Sequence, residues 1–357
     1  MIVLNGEPFI GYNLRSIYPY AHQIIVVEGA CPAARDVASP DGHSRDQTMA
    51  TLRRFHSEED PDRKLVIVTA EDEGHPDGFW SEKDEMSQAY ARRAAGNYLW
   101  QLDCDEFYHE ADLPRIMDIL SEGVDAVTFP TLTFWGGLRY TVDGFHLRCN
   151  RYREFHRLFA WDRSYTYATH RPPTVLDATG TDLRKKRWLR ADDLERQRLY
   201  MYHYCMLFPK QVLEKAEYYS RVTWTDQFLG MTEWAQSCYL KLERPFRVHE
   251  VFWDISWLET FYGSHPAMLR EMFAAAEAGR FPGLTVRLND DADDLLASWS
   301  YRCQRDSLRL AIPLIRLKRR AKCSLAGIAA RSRYYPQLRG IVNFLKWHND
   351  SRGKGTR

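Results

Sequence analysis

Over its first hundred residues the chain alternates short apolar runs with stretches of helical periodicity. Ile2-Val3-Leu4 opens as a strand, Phe9 to Ile17 repeats apolar residues at helical spacing, and the β-branched run Ile24-Ile25-Val26-Val27 reads as a second, buried strand. Gln47 to Phe55 is helix-compatible, Leu65-Val66-Ile67-Val68 is a third strand, a helix follows from about Glu82 to Ala95, and Tyr98 to Leu102 is a fourth strand. This βαβαβαβ order predicts an α/β fold with a mainly parallel sheet, and ligands at the carboxyl ends of its strands.

Beyond that point the pattern weakens. Leu113 to Leu120 reads as helix and Ala126 to Phe129 as strand, whereas Phe134 to Arg171 is rich in aromatics and Arg, and Leu183 to Arg198 is strongly charged. Helices are expected from about Lys210 to Tyr219 and from about Pro266 to Ala278. From about Asp293 the chain is basic and helical in pattern, with Pro313 and Pro336 expected to interrupt it.

With 357 residues, 45% hydrophobic and 27% charged, the chain can bury a full core. It lacks a run of about 18 apolar residues and a secretory leader pattern, so neither a membrane span nor a cleaved signal is expected. Its seven cysteines are scattered without a CxxC pair, which points to a reducing, cytoplasmic setting. The net charge of +1 hides an asymmetry: residues 300–357 hold fifteen Lys/Arg against Asp306 and Asp350, leaving the rest of the chain at −12. An acidic body argues against nucleic acid as a partner. Leu308, Ile312 and Ile315, interleaved with Arg305, Arg309, Arg316, Lys318, Arg319 and Arg320, predict a helix on an anionic membrane surface; a solvated cap or a docking face are the alternatives.

The segment richest in chemistry is Leu102-Asp103-Cys104-Asp105-Glu106-Phe107, directly after the fourth strand. Strand alternation would put Asp103 and Asp105 on one side, where two carboxylates can hold a divalent cation that neutralises a diphosphate. A solvated acidic turn is the bland reading, and the three preceding βα units weigh against it.

Here the chain resembles the inverting glycosyltransferases of family 2. The resemblance is carried by Met1-Ile2-Val3-Leu4-Asn5-Gly6-Glu7, Ile25-Val26-Val27-Glu28-Gly29, Gly42-His43-Ser44-Arg45-Asp46-Gln47-Thr48 and the DxD at Asp103, and it covers about residues 1–130. It implies a GT-A (Rossmann-like) domain over residues 1–270, with a nucleotide-sugar half at 1–130 and an acceptor half at 131–270, then a helical basic extension over 271–357. It also implies Mn²⁺ or Mg²⁺, a UDP- or GDP-sugar donor, and a glycan or lipid-linked acceptor.

Asn5 and Glu7 would rim the nucleotide pocket. Glu28, where the family usually has Asp, would meet the base or ribose. Asp46 would either join them or cap a helix. Lys83 and Arg92 would reach the diphosphate or be plain helix charges. His203, in preference to His170, would complete the metal site, because an aromatic, strand-like run can carry it back beside the DxD. The general base of an inverting reaction would be one of Asp177, Asp226 and Glu233. The QxxRW signature of processive synthases is absent, which favours single addition. Trp135, Tyr140, Trp224, Trp234, Trp253 and Trp257 would stack on sugars or, more often, fill the core. Two rivals stand beside this reading. A nucleotidyltransferase should carry a Gly-rich basic phosphate loop after its first strand, which Leu4 to Pro8 lacks, and a non-catalytic carbohydrate-binding protein should have a broken DxD.

Overall fold

The computed structural model describes residues 1–149, 155–220 and 230–331. Its opening follows the sequence pattern closely: β1 (Ile2–Val3), α1 (Ile10–Ile17), β2 (Ile24–Glu28), α2 (Thr48–Glu58), β3 (Leu65–Val68), α3 (Lys83–Arg93) and β4 (Tyr98–Trp100). β1, β2 and β3 form a parallel sheet in that order. All five residues of β2 are buried, which explains a run of four β-branched residues without alternation. α1 turns Ile10 and Leu14 inward, and the buried Asn13 amide donates to the Glu106 carbonyl (2.6 Å), tying the helix to the DxD segment.

The rest of the chain supplies β5 (Glu106–Phe107), α4 (Leu113–Ser121), β6 (Ala126–Phe129), β7 (Thr131–Trp135), β8 (Tyr140–Gly144), α5 (Phe145–Cys149), β9 (Phe155–Ala160), β10 (Thr166–His170) and β11 (Pro173–Leu176). There follow β12 (Trp188–Leu189), α6 (Ala191–Arg196), β13 (Met201–Met206), α7 (Pro209–Ser220), α8 (Met231–Trp234), β14 (Ser256–Thr260), α9 (Ala267–Glu277), α10 (Asp290–Ala297) and α11 (Trp299–Arg331).

The expectation of a mainly parallel sheet fails from β4 onward. β4 pairs antiparallel with β9 in a sheet ordered β12-β6-β9-β4, and a further sheet runs β14-β8-β7-β13-β5. Only β6 with β12 and β7 with β13 are parallel there. Crossover helices stop after α3, and strands joined by short connections pair antiparallel. The fold is thus a mixed α/β arrangement with a helical end. Pro313 does not interrupt that end: it lies inside α11 on the exposed side, where water can take up the carbonyl it frees. Pro336 lies outside the described residues.

Trp135, Tyr140, Trp234 and Trp257 are core residues, Trp253 is half-exposed, and Trp224 lies outside the described residues. Among the described residues no helix is long and apolar enough to cross a membrane.

Candidate active site

Polar residues gather at the carboxyl ends of β1 and β2. Asn5 adopts a left-handed conformation (φ 53°), and its backbone N–H donates to Ser44 Oγ, its Nδ2 to the Val37 carbonyl, while its Oδ1 accepts from the Arg45 N–H, each at 2.8 Å. Glu28 is fully buried. Its Oε1 accepts from the Ser44 N–H and Oγ, and its Oε2 faces His43 Nδ1, all at 2.7 Å. Burial would lower the His43 pKa, but Glu28, helped by Glu71, holds it above its ordinary value. Asp46 accepts from the Glu7 N–H (3.0 Å) and from the first N–H of α2, on Thr48 (2.9 Å). Glu7 in turn accepts from the Thr51 hydroxyl, and burial raises its pKa. The loop must contain glycine at 42: φ is +84°, and a Cβ would sit 2.0 Å from the Gly78 carbonyl oxygen. The polar atoms of Asn5, Glu7, Glu28 and Asp46 are therefore spent largely on holding the 42–48 segment to the sheet.

The DxD stands on a turn, not on a strand. β4 ends at Trp100, and the Glu106 N–H closes back on the Asp103 carbonyl (3.1 Å), so the two aspartates face different partners rather than one side. Asp103 Oδ2 meets Arg157 Nη2 at 3.1 Å. Arg157 is buried in β9 and also grips Glu106, through Nε at 2.9 Å and through Nη2. Burial pushes the Asp103 carboxyl up, and Arg157, with His170 and Arg171 beyond it, more than reverses that and holds it well below the usual range. Asp105 Oδ2 lies 3.9 Å from His203 Nε2. β13 brings His203 there, since it pairs with β5 so that His203 stands opposite Glu106, and the Tyr204 N–H donates to the Asp105 carbonyl (2.9 Å). Burial lowers the His203 pKa, against the pull of Asp105. His170, at the end of β10, bonds Ser87 Oγ through Nδ1 (2.9 Å) and Asp84 through its N–H (2.7 Å). Burial takes its pKa down to about 3, with Asp103 opposing.

Among the described residues no group of three or more His, Cys, Asp and Glu is placed to hold a metal ion. Asp105 and His203 form a carboxylate–imidazole pair that could supply two ligands to a divalent cation.

Within electrostatic reach of the aspartates is a set of cations. Lys83, the first residue of α3, points its amine at the Tyr218 ring (5.5 Å to the centroid). Burial lowers its pKa, and the neighbouring Arg171 lowers it further. Arg171 donates to the Tyr219 hydroxyl (2.9 Å). Burial would raise the Tyr219 pKa, yet Arg171, Lys83 and Lys215 together hold it below the ordinary phenol value. Lys215 is neutralised by half-buried Glu250 at 2.7 Å, and Arg157 by Glu106. Neither Lys83 nor Arg171 has a carboxylate within ion-pair distance among the described residues.

Other candidates lie elsewhere. Arg92 is on the outer side of α3, paired with Glu73. Asp177 closes a turn after β11, accepting from the N–H groups of Thr179 (2.8 Å) and Thr181 (2.9 Å) and pairing with Lys186 at 2.6 Å. Lys186 and those bonds hold its carboxyl well below the usual range, which suits a structural anion and not a base. Glu233 is exposed on α8, paired with Arg244 at 2.8 Å. Asp226 lies outside the described residues. Sequence reasoning missed Arg157, Arg171, Lys215 and Glu250. Arg157 had a signal, a charged residue at a strand position between Phe155 and Phe159.

No family model matches the chain, and no curated protein matches it. Among solved structures it is similar to the crystal structure of S. aureus TarS residues 1–349, at 11% identity and a TM-score of 0.34, over 69% of this chain and 73% of that one. The functional reading rests on the placement of these side chains.

Proposed function

We propose that the chain is a glycosyltransferase with a GT-A-like nucleotide-binding half, which takes a sugar from a UDP- or GDP-sugar and attaches it singly, with inversion, to a hydroxyl of a glycan or lipid-linked acceptor. The observation that carries the reading is a pair of cations with no ion-pair partner among the described residues, Lys83 and Arg171, within electrostatic reach of Asp103 in the acidic turn. Lys83 is half-buried and Arg171 exposed, and two neighbouring cations repel one another, so they favour a multivalent anion between them. A diphosphate has the charge and the reach to meet both.

On this reading Lys83 and Arg171 bind the two phosphates, and Arg157 orients Asp103. Asp105 and His203 would hold Mn²⁺ or Mg²⁺, which when bound would neutralise the departing diphosphate. The wall of Asn5, Glu7, Glu28 and Asp46 would shape the nucleotide pocket mainly by fixing the 42–48 loop. With Asp177 and Glu233 engaged elsewhere, Asp226 is the proposed base. In sequence it follows Tyr219, which touches Arg171, by seven residues.

A screen of nucleotide sugars for hydrolysis and transfer, with and without Mn²⁺, tests the proposal. Turnover of one donor, lost in Asp226→Asn with binding retained, supports it. Binding without turnover of any donor would leave a sugar-nucleotide-binding protein, and absence of both would remove the reading.

A further inference from the structure

The long helix α11 has two apolar faces, and the structure assigns them opposite fates. Leu308, Ile312 and Ile315 pack inward against a cluster built on Phe145, Trp257 and Tyr301. Arg305 and Arg309 are drawn to Glu259 at 3.2 and 2.5 Å, and Arg316 Nε donates to the Arg148 carbonyl at 2.6 Å. The face expected from sequence to meet a membrane is therefore the one that fastens the helix to the body.

The outward face carries Leu310, Leu314 and Leu317, which are 80%, 70% and 66% exposed. Their spacing of four and three residues stacks them in one stripe, with Trp299, 74% exposed, three turns earlier on the same side. A solvated helix of a globular protein keeps that side polar. Exposed Arg302 and Lys318 flank the stripe, and from Lys318 the sequence continues Arg319-Arg320-Ala321-Lys322.

We propose that this outer stripe of α11 is a docking surface for an anionic lipid bilayer, with Leu310, Leu314 and Leu317 entering the acyl boundary and Arg302 and Lys318 meeting the headgroups. Charge selects that occupant. In sequence, residues 300–357 carry a net +13, so an anionic surface is complementary to this end of the chain, whereas a second copy would press two basic helices together. The inference is independent of the proposed reaction.

The test uses the full chain and sedimentation with vesicles of phosphatidylcholine alone or with phosphatidylglycerol at a molar ratio of about 3:1, near the anionic content at which basic segments engage. The wild type should sediment with the mixed vesicles at low salt, not with phosphatidylcholine alone, and be released as salt rises. Leu310→Gln/Leu314→Gln/Leu317→Gln should lower the partition coefficient by at least about tenfold without moving the melting temperature, because those side chains touch water and not the core. Arg302→Gln/Lys318→Gln should lower it on mixed vesicles only. Equal sedimentation of wild type and the leucine variant, equal binding to both vesicle types, or no binding at low salt overturns the proposal. So does a concentration-dependent dimer that the leucine variant abolishes while vesicle binding is absent, which would give the stripe to a second copy.

Discussion

Replacing Arg157 with Met tests the frame on which the acidic turn hangs. The guanidinium makes a bidentate contact with Glu106, which is fully buried, and a third bond to Asp103 at 3.1 Å. Without Arg157 the Glu106 carboxylate is a buried charge with no partner, and removing one member of such a pair costs about 3–5 kcal/mol. The Asp103 side chain is about a third exposed, so water replaces much of its lost bond and adds at most about 1 kcal/mol. The expected loss is thus about 3–5 kcal/mol at pH 7.5, or roughly 4–7 °C in melting temperature for a protein of this size. pH provides an internal check. Burial pushes the Glu106 carboxyl up to about 8 in the wild type, against the opposition of Arg157. Without Arg157 it rises further, so the stability deficit of the variant should grow as pH rises through about 8 and be smaller at pH 7 than at pH 9. Arg157→Met/Glu106→Gln should regain more than half of the loss. Thermal and urea unfolding of the three variants would decide it. A loss below about 1 kcal/mol, or a double variant no better than the sum of the singles, would refute the argument.

Three further outcomes follow from the site. His43→Asn should cost more stability at pH 5.5 than at pH 9 by urea unfolding: Glu28 holds the folded-state pKa of His43 above the unfolded one, so its contribution is fully present below about 6.5 and fades as pH rises through the folded value. Asp105→Asn, or excess EDTA on the wild type, should abolish transfer while leaving the melting temperature within about 1–2 °C, since a neutral amide cannot supply the charge a hard cation needs; full activity in either case would take the metal out of the proposal. Gly42→Ala should disorder the 42–48 loop through its clash with Gly78, seen as faster proteolysis within that segment.

How far the sequence could be read depended on the period of each segment. β1 to β3 and α1 to α3 carry long, consistent patterns, and the structure places them within a few residues of expectation. After β4 several strands bury both faces, β6 at all four positions, β8 at four of five and β7 at three of five, so alternation is lost and antiparallel pairing leaves no local trace. For the site, Asp103, Lys83 and His203 stood out because each sits at the end of a recognisable element or within a strand-like aromatic run. Glu28 looked like a ligand contact because nothing in sequence shows that Ser44 and His43 consume its oxygens. In α11 both apolar stripes obey helical spacing, and only the position of the body decides which one is covered.

The central claim is that Lys83 and Arg171 form a diphosphate site beside the Asp103–Asp105 turn. Calorimetric titration of UDP and GDP into the wild type and into Lys83→Met/Arg171→Met, each with Mn²⁺, tests it most directly. The account predicts that one nucleotide binds the wild type and that the double variant, still folded by circular dichroism, binds it at least about tenfold more weakly. Equal affinity of wild type and variant, or no binding of either nucleotide to the wild type, would contradict it.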